Sequence, residues 1–276
     1  MANLVRAKTV EWTNSLNELR EVFWASSKQS KVTRILIQGL ACDASLIWAS
    51  LLDKRADDTY SYVAMNPPYI GNSGKGDIKI SSILNDWCEF IDDMRLQRVE
   101  IIGHSLGGHI AAHLASELSD LCRGLFLVCS PPRYPYWSVR GFKRRAQLIA
   151  EYGGIKPMLT EVIPHSFSDR FISSSPEAVD AFTEMLSSVP PDIYIRYCHE
   201  AAYSACETSL FAFQKPVVFL LGCQDSSVQR DQIMKYVREE RGDVVWAIAE
   251  AGHNIPIECP VEFYRRLCDA SLVFER

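Results

Sequence analysis

One stretch constrains the fold of this chain more than any other: Val99-Glu-Ile-Ile-Gly-His-Ser-Leu-Gly-Gly-His-Ile-Ala-Ala-His-Leu-Ala115. It begins as a short apolar run suited to a buried strand. It then passes through Gly103-His104-Ser105-Leu106-Gly107 and continues as an Ala-rich segment at helical spacing. A strand that turns so abruptly into a helix leaves one residue at the tip of a tight bend. Gly103 and Gly107 remove side chains that would collide there, and Gly108 lets the helix lie close on a sheet. Ser105 is then expected to project its hydroxyl into the open at the positive end of a helix, where developing negative charge is stabilised. A Gly-flanked serine alone also arises by chance. The strand before it and the helix after it make Ser105 a candidate nucleophile.

The flanking sequence repeats the alternation. Compact apolar strands are expected at 33–37, 60–65, 124–129, 215–222 and 243–248. Helices are expected from Ser45, with Asp43 near its cap, and over 80–94, 229–240 and 261–274. Two less regular strands, 3–12 and 19–26, flank the polar turn Thr13-Asn14-Ser15, and residues 28–31 form a polar loop. This order predicts an α/β protein with a mostly parallel eight-stranded sheet and helices on both faces. Ligands bind such sheets beyond the carboxyl ends of the strands.

The alternation breaks between 133 and 214, which offers no convincing buried strand. Prolines cut it into short, aromatic-rich, helix-compatible pieces. The expected organisation is a core of 1–132 and 215–276 with a helical cap, 133–214, lying over the strand ends. Most cap aromatics should form its own small core, and a minority should face a substrate pocket. Tyr134 and Trp137 are the pocket candidates there, with Gln38, Gly39 and His104 from the core.

Composition narrows the partners. A net charge of −5 argues against nucleic acid or an anionic membrane surface. No apolar run approaches the ~20 residues that span a bilayer. The first residues lack a signal-peptide pattern, so a cytoplasmic location is expected. The nine cysteines are odd in number and include no C-x-x-C pair, which suits reduced, mostly buried thiols. No Cys or His cluster stands at metal-ligand spacing, and neither metal nor cofactor is expected.

A serine hydroxyl needs a base to take its proton, and histidine oriented by an acid is the natural one. Of six histidines, His104 flanks Ser105 in the turn and should point away from it. His109 and His113 share one helix face and suit packing or surface roles. His165 and His199 fall in the cap. His253 follows the last strand in a Gly-His-Asn turn, at the end of the sheet where Ser105 opens, and is the candidate base. Asp225, just after the penultimate strand, is the candidate acid; it could also simply cap a helix starting at Ser226. Glu250 is the weaker choice, and the strand ending at Cys129 supplies no carboxylate. Two backbone N–H groups should hold an oxyanion, Leu106 after the serine and Leu40 in the loop after 33–37.

The segments Gly103-His-Ser-Leu-Gly-Gly108, Gly222-Cys-Gln-Asp225 and Ala251-Gly-His253, in the order Ser, Asp, His, resemble the α/β-hydrolase family along nearly the whole chain. Within it the chain looks most like small lid-bearing esterases and enol-lactonases. The resemblance implies an acyl-enzyme on Ser105 and water activated by His253. Two features depart from the family pattern. Gln38-Gly39 stands where His-Gly is usual, and Pro67-Pro-Tyr-Ile-Gly-Asn-Ser73 replaces an Arg-Gly-His-Gly-like loop. A small ester or lactone is the expected substrate. A thioesterase is a second reading, in which the basic run Arg140, Lys143, Arg144, Arg145 meets an acidic carrier, although a solvated helix face is the commoner explanation of such a run. The same fold also serves cofactor-free oxygenases using a His/Asp pair and small-molecule receptors.

Overall fold

A computed structural model of the chain describes residues 7–26, 30–52 and 60–275. Among these residues eight strands form one sheet: β1 (Lys8–Thr13), β2 (Leu19–Ala25), β3 (Val32–Ile37), β4 (Tyr60–Met65), β5 (Val99–His104), β6 (Cys122–Val128), β7 (Val217–Gly222) and β8 (Val244–Ile248). Their spatial order is β1-β2-β4-β3-β5-β6-β7-β8. β2 pairs antiparallel with both β1 and β4, and every other pairing is parallel. The uninterrupted apolar runs explain the core: β4, β5 and β7 are buried at every residue, as strands covered on both faces must be. β1 and β8 are the exposed and half-buried edges.

The helices in chain order are α1 (Ala44–Ile47), α2 (Ala49–Leu52), α3 (Ile80–Asp93), α4 (Leu106–Glu117), α5 (Tyr136–Tyr152), α6 (Lys156–Ser166), α7 (Asp169–Ser174), α8 (Pro176–Ser187), α9 (Pro191–Tyr203), α10 (Glu207–Ala212), α11 (Arg230–Met234), α12 (Ile255–Glu258) and α13 (Pro260–Val273). Asp43 caps α1 through its carboxylate, as its position suggested. Phe126 of β6 packs on Phe263 of α13. The next residue, Leu127, lies under α4, where a Cβ on Gly108 would stand 3.3 Å from its side chain. Neighbouring strand residues point to opposite faces, so α4 and α13 cover opposite sides of the sheet.

Six helices, α5 to α10, separate β6 from β7, with a short bridge between Arg133 and Ala205 at their base. Phe167 packs on Phe171 and Phe182 within this insertion. None of the described helices is long and apolar enough to cross a membrane.

The expected strand 3–12 is seen only from Lys8, and its residues 3–6 lie outside the described residues, as do 28 and 29 of the expected loop. Residues 229–240 do not form the single helix expected. α11 ends at Met234, and a 3₁₀ turn follows at Glu239–Arg241. Tertiary partners outcompete the helix. The Arg238 N–H donates to the Asp243 carboxylate (2.9 Å) instead of to a preceding helical carbonyl. The buried Arg241 guanidinium donates to Leu210 and Phe213 carbonyls.

Candidate active site

Ser105 sits where β5 ends and α4 begins, with φ 53° and ψ −124°. A side-chain-bearing residue seldom adopts this positive φ, and it persists only where surroundings enforce it. The Ser105 N–H is anchored on the Val128 carbonyl of β6 (2.9 Å). On the other side, α4 backs directly onto β3: a Cβ on Gly107 would stand 2.2 Å from the Ile37 carbonyl oxygen. Only glycine allows that approach.

Asp225 follows β7 and His253 follows β8, one and two strands beyond β6 in the sheet. The His253 Nδ1–H donates to Asp225 Oδ2 (2.8 Å). Asp225 Oδ1 accepts from the Ser227 and Val228 N–H groups (2.7 and 3.2 Å). The acid therefore makes the turn-capping contact and the imidazole contact together. With Nδ1 engaged as donor, Nε2 is left as the basic nitrogen. Burial pushes the Asp225 carboxyl up, but the His253 ring and the backbone donors outweigh it and hold it below the ordinary carboxylate range. Glu250 stays away from this pair, exposed and ion-paired with Arg170.

Ser105 and His253 line one cavity, together with Gly39, Leu40, His104, Tyr134 and Trp137. No hydrogen bond links the Ser105 hydroxyl to the ring; it lies beside the Tyr134 hydroxyl. Such contacts commonly tighten only when substrate is bound. A Cβ on Gly39 would stand 3.2 Å from the Ser105 Cβ, so the loop after β3 lies against the serine. The backbone N–H groups of Leu40 and Leu106 have no acceptor among the described residues.

The other expected pocket residues divide. Tyr134 is buried against His109 and Phe142, and its hydroxyl has no hydrogen-bond partner. Trp137 is half-exposed at the rim. His104 donates from Nε2 to the His253 carbonyl (2.9 Å), so it supports the His253 backbone. Burial, then the neighbouring His253, lower its pKa to about 3. Gln38 is not brought to this cavity. Its amide donates to the Met65 carbonyl (2.9 Å), tying β3 to the end of β4, and it lines a separate, smaller cavity with Leu106. His109 is buried between Pro131 and Ser204, and His113 bonds Ser209, which are packing roles. His165 lines the main cavity, bonded to Ser226, while His199 is exposed.

Two features had no sequence signal. Ligand-type atoms of Cys129, Asp225 and His253 lie within 4.8 Å of one another, although no spacing announced such a cluster. Burial, then Asp225, push the Cys129 thiol well up, so it stays protonated beside the acid. The second feature is the anchoring of the His253 turn to the insertion. Asn254 donates from its N–H and its amide to the Ser166 carbonyl (3.0 and 2.9 Å). The Glu258 carboxylate accepts from Gly252 N–H, Ser168 N–H and Ser168 Oγ (3.0, 3.0 and 2.7 Å).

Residues 35–266 match the model of the alpha/beta hydrolase family. The chain is 23% identical over 190 residues to a 3-oxoadipate enol-lactonase of Acinetobacter baylyi, covering 68% of this chain and 69% of that one. Among solved structures, a thermophilic esterase from Thermogutta terrifontis superposes with a TM-score of 0.82 at 19% identity, over 98% of this chain and 100% of its own. The enol-lactonase from Burkholderia xenovorans does so with 0.84 at 16% identity, over 94% and 98%. At these identities the superpositions show the shared fold.

Proposed function

The chain belongs to the alpha/beta hydrolase family, and from that premise we propose that it cleaves a small carboxylic ester or lactone through an acyl-enzyme on Ser105. The observation that carries this reading is that a strained serine and an Asp-oriented imidazole line one cavity together with Leu40, whose backbone N–H is unengaged, as is that of Leu106, the residue after the serine. An enol-lactonase among the relatives and an esterase among the fold neighbours support a carboxylic ester or lactone as substrate.

In the proposed sequence His253 Nε2 removes the hydroxyl proton as Ser105 Oγ attacks the carbonyl carbon. Negative charge moves to the carbonyl oxygen, where the Leu40 and Leu106 N–H groups and the N-terminus of α4 stabilise it. Losing one such donor typically costs roughly 3 kcal/mol of transition-state stabilisation. The tetrahedral species collapses, the C–O bond breaks, and His253 returns the proton to the leaving oxygen. His253 next takes a proton from water, whose oxygen attacks the acyl carbon; as the acyl C–O bond to Ser105 breaks, His253 returns that proton to Oγ and the acid product leaves. Asp225 keeps the ring in the tautomer that both steps need. Residues 133–214 act as the cap over this site, borne on the core formed by 1–132 and 215–276.

Treatment with a fluorophosphonate is expected to add one adduct at Ser105, visible by intact mass and absent from Ser105→Ala. Ester turnover should fall by at least about 10³-fold in Ser105→Ala. Folded protein that takes no adduct overturns the proposal. So does turnover that survives Ser105→Ala but is lost in His253→Ala, which would point to serine-independent chemistry.

A further inference from the structure

The basic run at the start of the insertion is not one surface. Arg140 lies over the Tyr136 ring, Lys143 over the Tyr203 ring, and Arg144 pairs with Glu161 (3.5 Å). Arg145 turns the other way. It lies three residues after the buried Phe142, on the inward face of α5, and lines the same cavity as Ser105. Its guanidinium rests against the Phe142 ring (5.5 Å) and beside the Tyr194 hydroxyl, and it makes no ion pair among the described residues.

The cavity holds no counter-charge. None of the residues lining it is Asp or Glu, and the nearby Asp225 is committed to His253 and two backbone N–H groups. A half-buried guanidinium without a carboxylate forgoes the bidentate pairing its geometry favours. The same cavity presents a second polar group. The buried Tyr134 hydroxyl stands at the Ser105 side chain and meets no other polar side chain among the described residues.

Resting on the ester-hydrolase reading above, we infer that the substrate carries a carboxylate, which Arg145 holds while the ester carbonyl sits at Ser105. The remaining basic residues of α5 take no part. Arg145 thereby selects anionic over neutral esters and fixes which end of the substrate meets the serine.

The test uses the full chain and matched ester pairs. Mono-p-nitrophenyl glutarate is compared with p-nitrophenyl valerate, which places the charge in the acyl half. p-Acetoxybenzoate is compared with its methyl ester, which places the charge in the alcohol half. In one of these arms kcat/KM is expected to favour the anionic ester by roughly 10- to 100-fold. That ratio should collapse towards one in Arg145→Gln and persist in Arg144→Gln. The arm that shows it assigns the carboxylate to one half of the substrate. No anionic preference in either arm, or a preference that Arg145→Gln retains, overturns the inference.

A binding measurement separates this from the fate of the nucleophile. Glutarate should raise the Tm of Ser105→Ala and leave that of Ser105→Ala/Arg145→Gln unmoved. A glutarate shift that is absent, or insensitive to Arg145, overturns the inference even if Ser105 proves to be the nucleophile. A specific shift sustains it even if Ser105 does not.

Discussion

Asp225 illustrates how much a single carboxylate is asked to do. One oxygen orients His253 and the other closes the turn that follows β7, so replacing it disturbs the loop as well as the imidazole. Its place just after the penultimate strand was legible in the sequence. The roles of the buried histidines were less so, because burial is a property of the fold. Burial lowers the pKa of His104 to about 3 and of His109 to about 4, so both stay neutral in the folded chain well below the ~6.5 of a free imidazole. Between those values the unfolded chain binds protons that the folded chain refuses. Stability therefore falls as pH drops below about 6.5 towards 4, with a slope that approaches one proton's worth for each such residue. His109→Gln should flatten the curve by about one proton's worth, while a glutamine can still reach the Pro131 carbonyl. Urea unfolding at pH 7, 6 and 5 measures this; parallel curves for the two proteins would contradict it.

At the scale of elements, the strand–turn–helix of β5 and α4 was readable because its requirements are local. Glycines, a short apolar run and an Ala-rich helix all fall within seventeen consecutive residues. The compact apolar strand expected at 33–37 contains one charged residue, whose role the sequence did not reveal. Arg34 is fully buried and pairs with Glu100 of β5 (3.0 Å), while its other nitrogens reach the Tyr62 hydroxyl and Ser271 of α13 (2.8 and 2.7 Å). These partners lie 28 to 237 residues away, so no periodicity could reveal them. The network pins β3, β4, β5 and α13 at one place. Arg34→Met keeps the volume but leaves the buried Glu100 with only Arg123 and Ser271 for company. A loss of about 3–5 kcal/mol is expected, read from chemical denaturation, with the Ser105 elbow's labelling by fluorophosphonate retained in whatever fraction stays folded. A change below about 1 kcal/mol would mean that the pair's desolvation cancels its attraction.

For the molecule as a whole, the missing strand and the prolines made a helical insertion legible in the sequence. They could not give away how the insertion grips the core, because the gripping residues are ordinary polar side chains about 90 positions apart. Glu258, in the short helix after His253, receives Gly252 from its own loop and Ser168 from the insertion. Asn254 reaches Ser166 beside it, and Arg170 pairs with Glu250. The His253 turn is thus held from both sides, and its position relative to Ser105 depends on the insertion staying seated. Glu258→Ala removes the acceptor from three donors and should cost about 2–4 kcal/mol of stability. It should also lower kcat by roughly 10- to 100-fold through misplacement of the imidazole. The loss should be equal for anionic and neutral esters, since no substrate charge is involved; this separates it from Arg145→Gln, which changes their ratio. Glu258→Gln, which keeps one acceptor oxygen, should recover part of both losses. A Glu258→Ala protein that is less stable but turns over normally would show that the base keeps its place without the insertion.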